Sequence, residues 1–321
     1  MIDITYLEQK QLSLLKHLKI AGEKLFELKI HNDLSPIGWH IIHCLYVECI
    51  WIRSQFLDDN ELVNKFKDTA DAINIKPKNR GLNLPNYKCL YKLTRSEFKK
   101  NLIFIQSIKE KKKVNYFIQF LINHHSQHLE TIKIILNLIN LKYNKATENC
   151  FSIVEPKPFK FCPINIKEGI FKIGSKNNSN FSYDNEGPLH KAYLHPFKLS
   201  THPVTNGEFL EFMSEGGYEN PNFWHSDGWD FINREKIRAP LYWFQKEGDW
   251  LVAGLQGVQT VDPHQILCHV SYFEASAYAR WSGKRLPTEK EWEMAASSLT
   301  ESESIEGHFL EREDFQLAPP V

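Results

Sequence analysis

Three histidines are the residues of this chain whose types and spacing point most directly to chemistry. His43 stands in Gly38-Trp39-His40-Ile41-Ile42-His43. His124 and His128 stand in Asn123-His124-His125-Ser126-Gln127-His128-Leu129-Glu130-Thr131. A pair spaced i, i+4 inside an apolar segment lies on one face of a helix, about a turn apart. A third imidazole from a neighbouring helix completes a face of three nitrogens with open positions opposite, which suits a metal that must hold substrate or oxygen as well as protein. His40 and His125 compete for the ligand role on periodicity alone. Glu48, Gln127 and Glu130 are candidates to accept a hydrogen bond from an outer imidazole nitrogen and so fix its tautomer. Without a metal, the same residues are ordinary polar positions on helix faces.

Residues 1 to about 145 must position these histidines, and their pattern is helical. Tyr6, Leu12, Leu15, Leu18 and Ile20 predict a long amphipathic first helix. A second is predicted to run from Pro36 through His43, Tyr46, Val47, Ile50 and Trp51, with Ser35-Pro36 as its start signal. Residues 76–87 are basic and rich in Pro, Gly and Asn, and read as a surface loop. Lys76, Lys78 and Arg80 in that loop are candidates for binding a carboxylate, which an arginine pairs bidentately; the alternative is a solvated basic loop. Thr94, Ser96 and Glu97 predict the opening of a third helix through Phe98, Leu102 and Ile105. A fourth is predicted over 114–140, with Phe117, Leu121, His124, His128, Ile132 and Ile135 on one side. Four helices with short connections predict an antiparallel bundle whose core can host a metal.

The character changes near residue 150, and 149–165 read as an interdomain linker between a domain over 1–148 and another over 166–321. Short β-like pieces are predicted at 169–174, 192–199 and 240–252, interrupted by amphipathic helices over 206–214 and 272–282. Gly216-Gly217-Tyr218 reads as a turn needing positive φ. Thr288 and Glu291 form an expected capping box. No nucleophile–base pair or phosphate-binding loop stands out in this half.

The bulk numbers exclude some classes. Lys+Arg and Asp+Glu both count 39, for a formal net charge of zero, which argues against nucleic acid or an acidic membrane as the main partner. The first residues include acidic side chains and no continuous apolar core, so no signal peptide is expected. The six cysteines are scattered, with no C-x-x-C pair. Reduced thiols and a cytoplasmic location are the expectation.

The first half resembles a DinB-type helical bundle. Ser35-Pro36-x-x-Trp39-His40-x-x-His43 and His124-x-x-Gln127-His128-x-Glu130-Thr131 are similar to the bundle motifs of EgtB-like sulfoxide synthases of ergothioneine biosynthesis. The second half resembles the formylglycine-generating-enzyme, or sulfatase-modifying-factor, fold. The matching segments include Gly169–Ser175, Asp184-Asn185-Glu186-x-Pro188-x-His190, Pro203–Phe209, Gly216–Tyr218, Val270–Trp281 and Arg285–Glu293. The resemblance implies an α+β protein, with a DinB-like four-helix bundle followed by an irregular, C-type-lectin-like domain. It implies iron(II) on His43, His124 and His128, and O2 used to join a thiol sulfur to an imidazole carbon of a histidine derivative. Arg80 matches an arginine that holds the thiol substrate's carboxylate in some members; a second basic residue usual a few positions later is absent, Leu84 standing near that place. The family pattern continues past Val321, so the second domain is expected to be incomplete, with the acid that assists oxygen chemistry on the far side of that point and a complementing C-terminal chain as partner. Two alternatives stand beside this reading: a DinB-type divalent-metal thiol transferase, and a catalytically inactive truncated relic.

Overall fold

The computed structural model describes residues 4–143, 163–176, 181–254 and 257–297. The chain divides into two units, Met1–Lys145 and Ala146–Val321. Residues 149–162 of the expected linker lie outside the described residues, and the rest of it, from Pro163, opens a strand.

The first unit is built on α1 (Thr5–Leu25), α2 (Ile37–Glu48), α3 (Glu61–Ala70), α4 (Tyr87–Ser107) and α5 (Lys111–Tyr143). Every residue of α2 is buried, as expected of a helix apolar on all sides and surrounded by others. Pro36 sits at its N-cap in extended conformation. Beyond Glu48 the chain widens into a π-helical stretch, Cys49–Ser54, which sequence periodicity does not reveal. Leu7, Leu14 and Leu18 of α1 face the core with Ile41, Leu45, Phe98, Leu121, Leu129 and Ile132. The stripe on α1 differs from expectation, because Tyr6, Leu12 and Ile20 are exposed. Helix α4 starts earlier than Thr94: the Asn86 side chain caps it by accepting from Cys89 N. Thr94 is buried mid-helix, its hydroxyl turned back to the Leu90 carbonyl. The loop from Asp71 to Asn86 contains a single 3-10 turn at Pro77–Asn79.

The second unit is α+β with small antiparallel sheets. β1 (Pro163–Ile166) pairs with β4 (Phe197–Ser200), and β2 (Gly169–Ile173) pairs with β3 (His190–Leu194). β5 (Trp243–Lys246), β6 (Asp249–Gly254) and β7 (Gly257–Thr260) form a three-stranded sheet. Around them lie α6 (Asn206–Ser214), α7 (Ser226–Arg234), α8 (Tyr272–Trp281) and α9 (Glu289–Ser297). Capping boxes start three of these helices: Thr205 with Glu208, Ser271 with Glu274, and Thr288 with Glu291. The core gathers Phe209, Phe212, Tyr218, Trp224, Ile232 and Tyr278. Trp224 donates its indole N–H to the Gly217 carbonyl at 2.8 Å, and Tyr218 donates to Glu274 at 2.6 Å. Gly216 takes φ +77° in the turn. Gly217 is required for space instead, because a Cβ there would stand 2.4 Å from the Phe212 ring.

Gly217→Ala should therefore destabilise the second unit by about 1–3 kcal/mol through overpacking. Urea denaturation followed by tryptophan fluorescence reads this; a wild-type midpoint would contradict the close approach.

Candidate metal centre

His43 lies on the buried helix α2, and His124 and His128 lie a turn apart on α5. The three Nε2 atoms converge: His124 Nε2 is 3.3 Å from His43 Nε2 and 3.2 Å from His128 Nε2. Two imidazole nitrogens sit that far apart when both are about 2.1 Å from one metal and roughly 100° from each other as seen from it. The donor set thus fits a divalent transition metal held on one face by three neutral nitrogens. His43 is buried and the other two are half-buried, so the cluster sits at the edge of the core.

The outer nitrogens decide which way each lone pair points. His43 Nδ1 donates to the Ala70 carbonyl at 2.7 Å. Ala70 ends α3, where the last carbonyls have no partner within the helix, and this bond leaves the lone pair on Nε2. His128 Nδ1 lies 2.7 Å from His40 Nδ1. With Nε2 of His128 turned toward the other two Nε2 atoms, its Nδ1 donates and His40 accepts, which places the His40 proton on its buried Nε2. His124 Nδ1 faces His125 Nδ1 at 3.4 Å, and His125 Nε2 meets Glu48 Oε1 at 2.7 Å.

Burial is the main cause that holds these imidazoles in the neutral form. It lowers His43 to about 4 and His40 to about 3 from the ordinary 6.5, with the Arg80 cation adding at both. His124 and His128 are also pushed well down by burial, and the neighbouring imidazoles add to it.

The structure thus brings His43, His124 and His128 together and gives His40 and His125 the outer positions. Glu48 orients His125, not one of the three converging histidines, and Gln127 and Glu130 are exposed. Lys76 and Lys78 are exposed as well. Arg80 is drawn inward: Nε and Nη2 donate to the carbonyls of Ile75 and Ala72, at 3.1 and 2.9 Å, and its guanidinium lies 4.5 Å from the Trp39 ring centre. Cys44, His124 and His125 also bring ligand atoms within 4.8 Å of one another. That group is closed, since Cys44 and His125 have no exposed surface. Burial, with the Glu48 charge nearby, pushes the Cys44 thiol well above its ordinary value.

Sequence reasoning missed the Ala70 carbonyl, which carries no side-chain signal. It also missed the stacking of Trp39 on His43, for which the i, i+4 spacing was available.

Metal sites in helical bundles are built from side chains on facing helices, which is how these three histidines are placed. Comparison with known proteins adds the kind of protein. Residues 159–309 match the family model of the sulfatase-modifying factor enzyme 1-like domain. The chain is 40% identical over 116 residues to the hercynine oxygenase of Mycobacterium tuberculosis, covering 36% of this chain and 27% of that one. It is 32% identical over 179 residues to the hercynine oxygenase of Mycolicibacterium smegmatis, covering 55% of this chain and 40% of that one. A formylglycine-generating enzyme of Thermomonospora curvata is 34% identical over 145 residues, 41% of this chain and 47% of its own length. The matches span less than half of each of these relatives. The chain is thus homologous to hercynine oxygenases of the EgtB type and carries a formylglycine-generating-enzyme-like domain.

Two outcomes follow from the geometry. Wild-type protein should bind about one Co(II) per chain, and Ala at His43, His124 or His128 should abolish tight binding, as read by equilibrium dialysis; full retention in all three variants would overturn the ligand set. The second concerns pH. The buried imidazoles titrate below the unfolded value of 6.5, so the unfolded chain takes up protons first as pH falls. Stability of the metal-free protein should then be full above pH 6.5 and decline as pH drops from 6.5 toward 4. His128→Leu should flatten that slope in urea titrations.

Proposed function

We propose that the chain is an iron(II)- and O2-dependent sulfoxide synthase of the ergothioneine type, joining a thiol sulfur to an imidazole carbon of a histidine derivative. The observation that carries the reading is the convergence of three imidazole Nε2 atoms in a chain homologous to hercynine oxygenases. The overall change balances as thiol S–H plus imidazole C–H plus O2 giving a C–S bond, one S=O and one water. Iron(II) held by His43, His124 and His128 would supply the redox chemistry that ground-state O2 needs.

The chain's own residues do the rest. Three neutral imidazoles occupy one side and leave the other for substrate and oxygen. The Ala70 carbonyl and His40 keep the His43 and His128 rings turned so that their lone pairs point inward. Arg80 has two of its nitrogens committed to backbone carbonyls; Nη1 is the edge we assign to the thiol substrate's carboxylate. The proposal places the reaction in the cytoplasm, in keeping with the unpaired Cys44, Cys49, Cys89 and Cys268. No helix among the described residues is long and apolar enough to cross a membrane.

Incubation with Fe(II), hercynine and cysteine or a cysteine peptide should give a sulfoxide by mass spectrometry, strictly dependent on O2 and absent in His124→Ala. Coupling without O2 would point to a thiol transferase instead. At saturating iron, Arg80→Leu should raise KM for the thiol about tenfold or more, the worth of one charged hydrogen bond, with kcat less affected.

A further inference from the structure

The indole of Trp39 is fully buried and lies flat on the imidazole of His43, with ring centres 4.7 Å apart and planes 9° from parallel. Its N–H donates to the Thr69 carbonyl at 2.9 Å. The next carbonyl along, that of Ala70, accepts from His43 Nδ1 at 2.7 Å. Adjacent peptide oxygens at the C-terminal end of α3 therefore hold two rings in register. The guanidinium of Arg80 is 4.5 Å from the indole centre, a cation–π contact. The side chain of Arg80 is itself tied to Ala72 and Ile75, in the loop that follows α3. Trp39 also meets His40 edge-on, ring centres 5.4 Å apart, and approaches His128 at 6.4 Å.

An imidazole fixed through one nitrogen can still swing about that hydrogen bond. A flat neighbour held by its own hydrogen bond removes that freedom, because tilting the His43 ring would drive it into the indole. We propose that Trp39 is a positioning residue for His43: the Thr69–Ala70 backbone and the indole together set the plane of the ring and aim Nε2 at the metal before metal arrives. The inference rests on the metal-site reading above and extends it to a residue that touches no substrate. Outer partners of metal-ligating histidines typically change metal affinity about 10–100-fold, and an indole that fixes the ring plane belongs on the same scale.

The test uses the full chain, metal-free, titrated anaerobically with Co(II). Apparent Kd is read by chelator competition, coordination by the visible d–d bands, and folding by the melting temperature without metal. Trp39→Leu should weaken Co(II) binding about 10–100-fold and alter the d–d bands. Trp39→Phe, which keeps a flat ring but loses the bond to Thr69, should fall between Trp39→Leu and the wild type in affinity. Folded Trp39→Leu with wild-type affinity and spectrum would overturn the proposal. Should Trp39→Leu fail to fold, Trp39→Met takes its place, with the same expected loss and the same refuting result. Absence of Co(II) binding by the wild type would instead refute the underlying site, and is told apart by that control.

Discussion

Glu48 has no exposed surface, and three helices spend a side chain on its two oxygens. Gln11 from α1 donates to Oε1 at 2.8 Å, Asn101 from α4 donates to Oε2 at 2.7 Å, and His125 from α5 meets Oε1 at 2.7 Å. Asn101 in turn accepts from Arg53, which pairs with Glu97. A carboxylate taken out of water costs several kcal/mol unless its lone pairs are satisfied, so the four helices are tied to one rotation and one register about this point. His125 is the neighbour of His124, and Glu48 follows His43 on the same buried helix. Pinning His125 to Glu48 therefore turns His124 and His128 toward His43. The converging nitrogens are a consequence of where the buried charge must find its partners.

The second constraint is desolvation of the imidazoles themselves. A histidine in water spends part of its time protonated near neutral pH and is then no ligand. Burial pushes His43 and His124 well below that range, so both remain neutral donors at the edge of an apolar interior. The bulk of that interior is supplied by ordinary aliphatic packing. What is particular is that the polar atoms left over at the end of α3 orient the His43 ring and its stacking partner, Trp39.

The second unit is organised by a different economy of interactions. Its sheets are small, and its helices are short, with side-chain caps starting α6, α8 and α9. Aromatic rings fill the space between them, and two of those rings are anchored by hydrogen bonds, from Trp224 to Gly217 and from Tyr218 to Glu274. Glu274 serves both as cap and as the acceptor of the tyrosine hydroxyl. Loss of that one carboxylate would remove the helix start and leave a buried hydroxyl unpaired.

Much of this was legible in the chain alone. The i, i+4 pair on α5, the Ser35-Pro36 start of α2 and the capping box at Thr288 depend on contacts within one or two turns, and local spacing encodes those; the boxes at Thr205 and Ser271 carry the same local signal but emerged only with the structure. Helices α3 and α7 escaped sequence reading because each is short and polar on most of its surface. The π-helical stretch after Glu48 and the exposure of Tyr6, Leu12 and Ile20 depend on which neighbours a helix meets. Sequence alone also left His40 and His125 level with the converging histidines. Only the tertiary structure separated them, by setting each against a partner from a distant segment: His40 against His128, and His125 against Glu48. It likewise turned Arg80 from a loop charge into a cap over Trp39. Spacing determines which residues share a face of one helix; the choice of ligand, acceptor or stacking partner depends on atoms far apart along the chain, and folding alone brings those together.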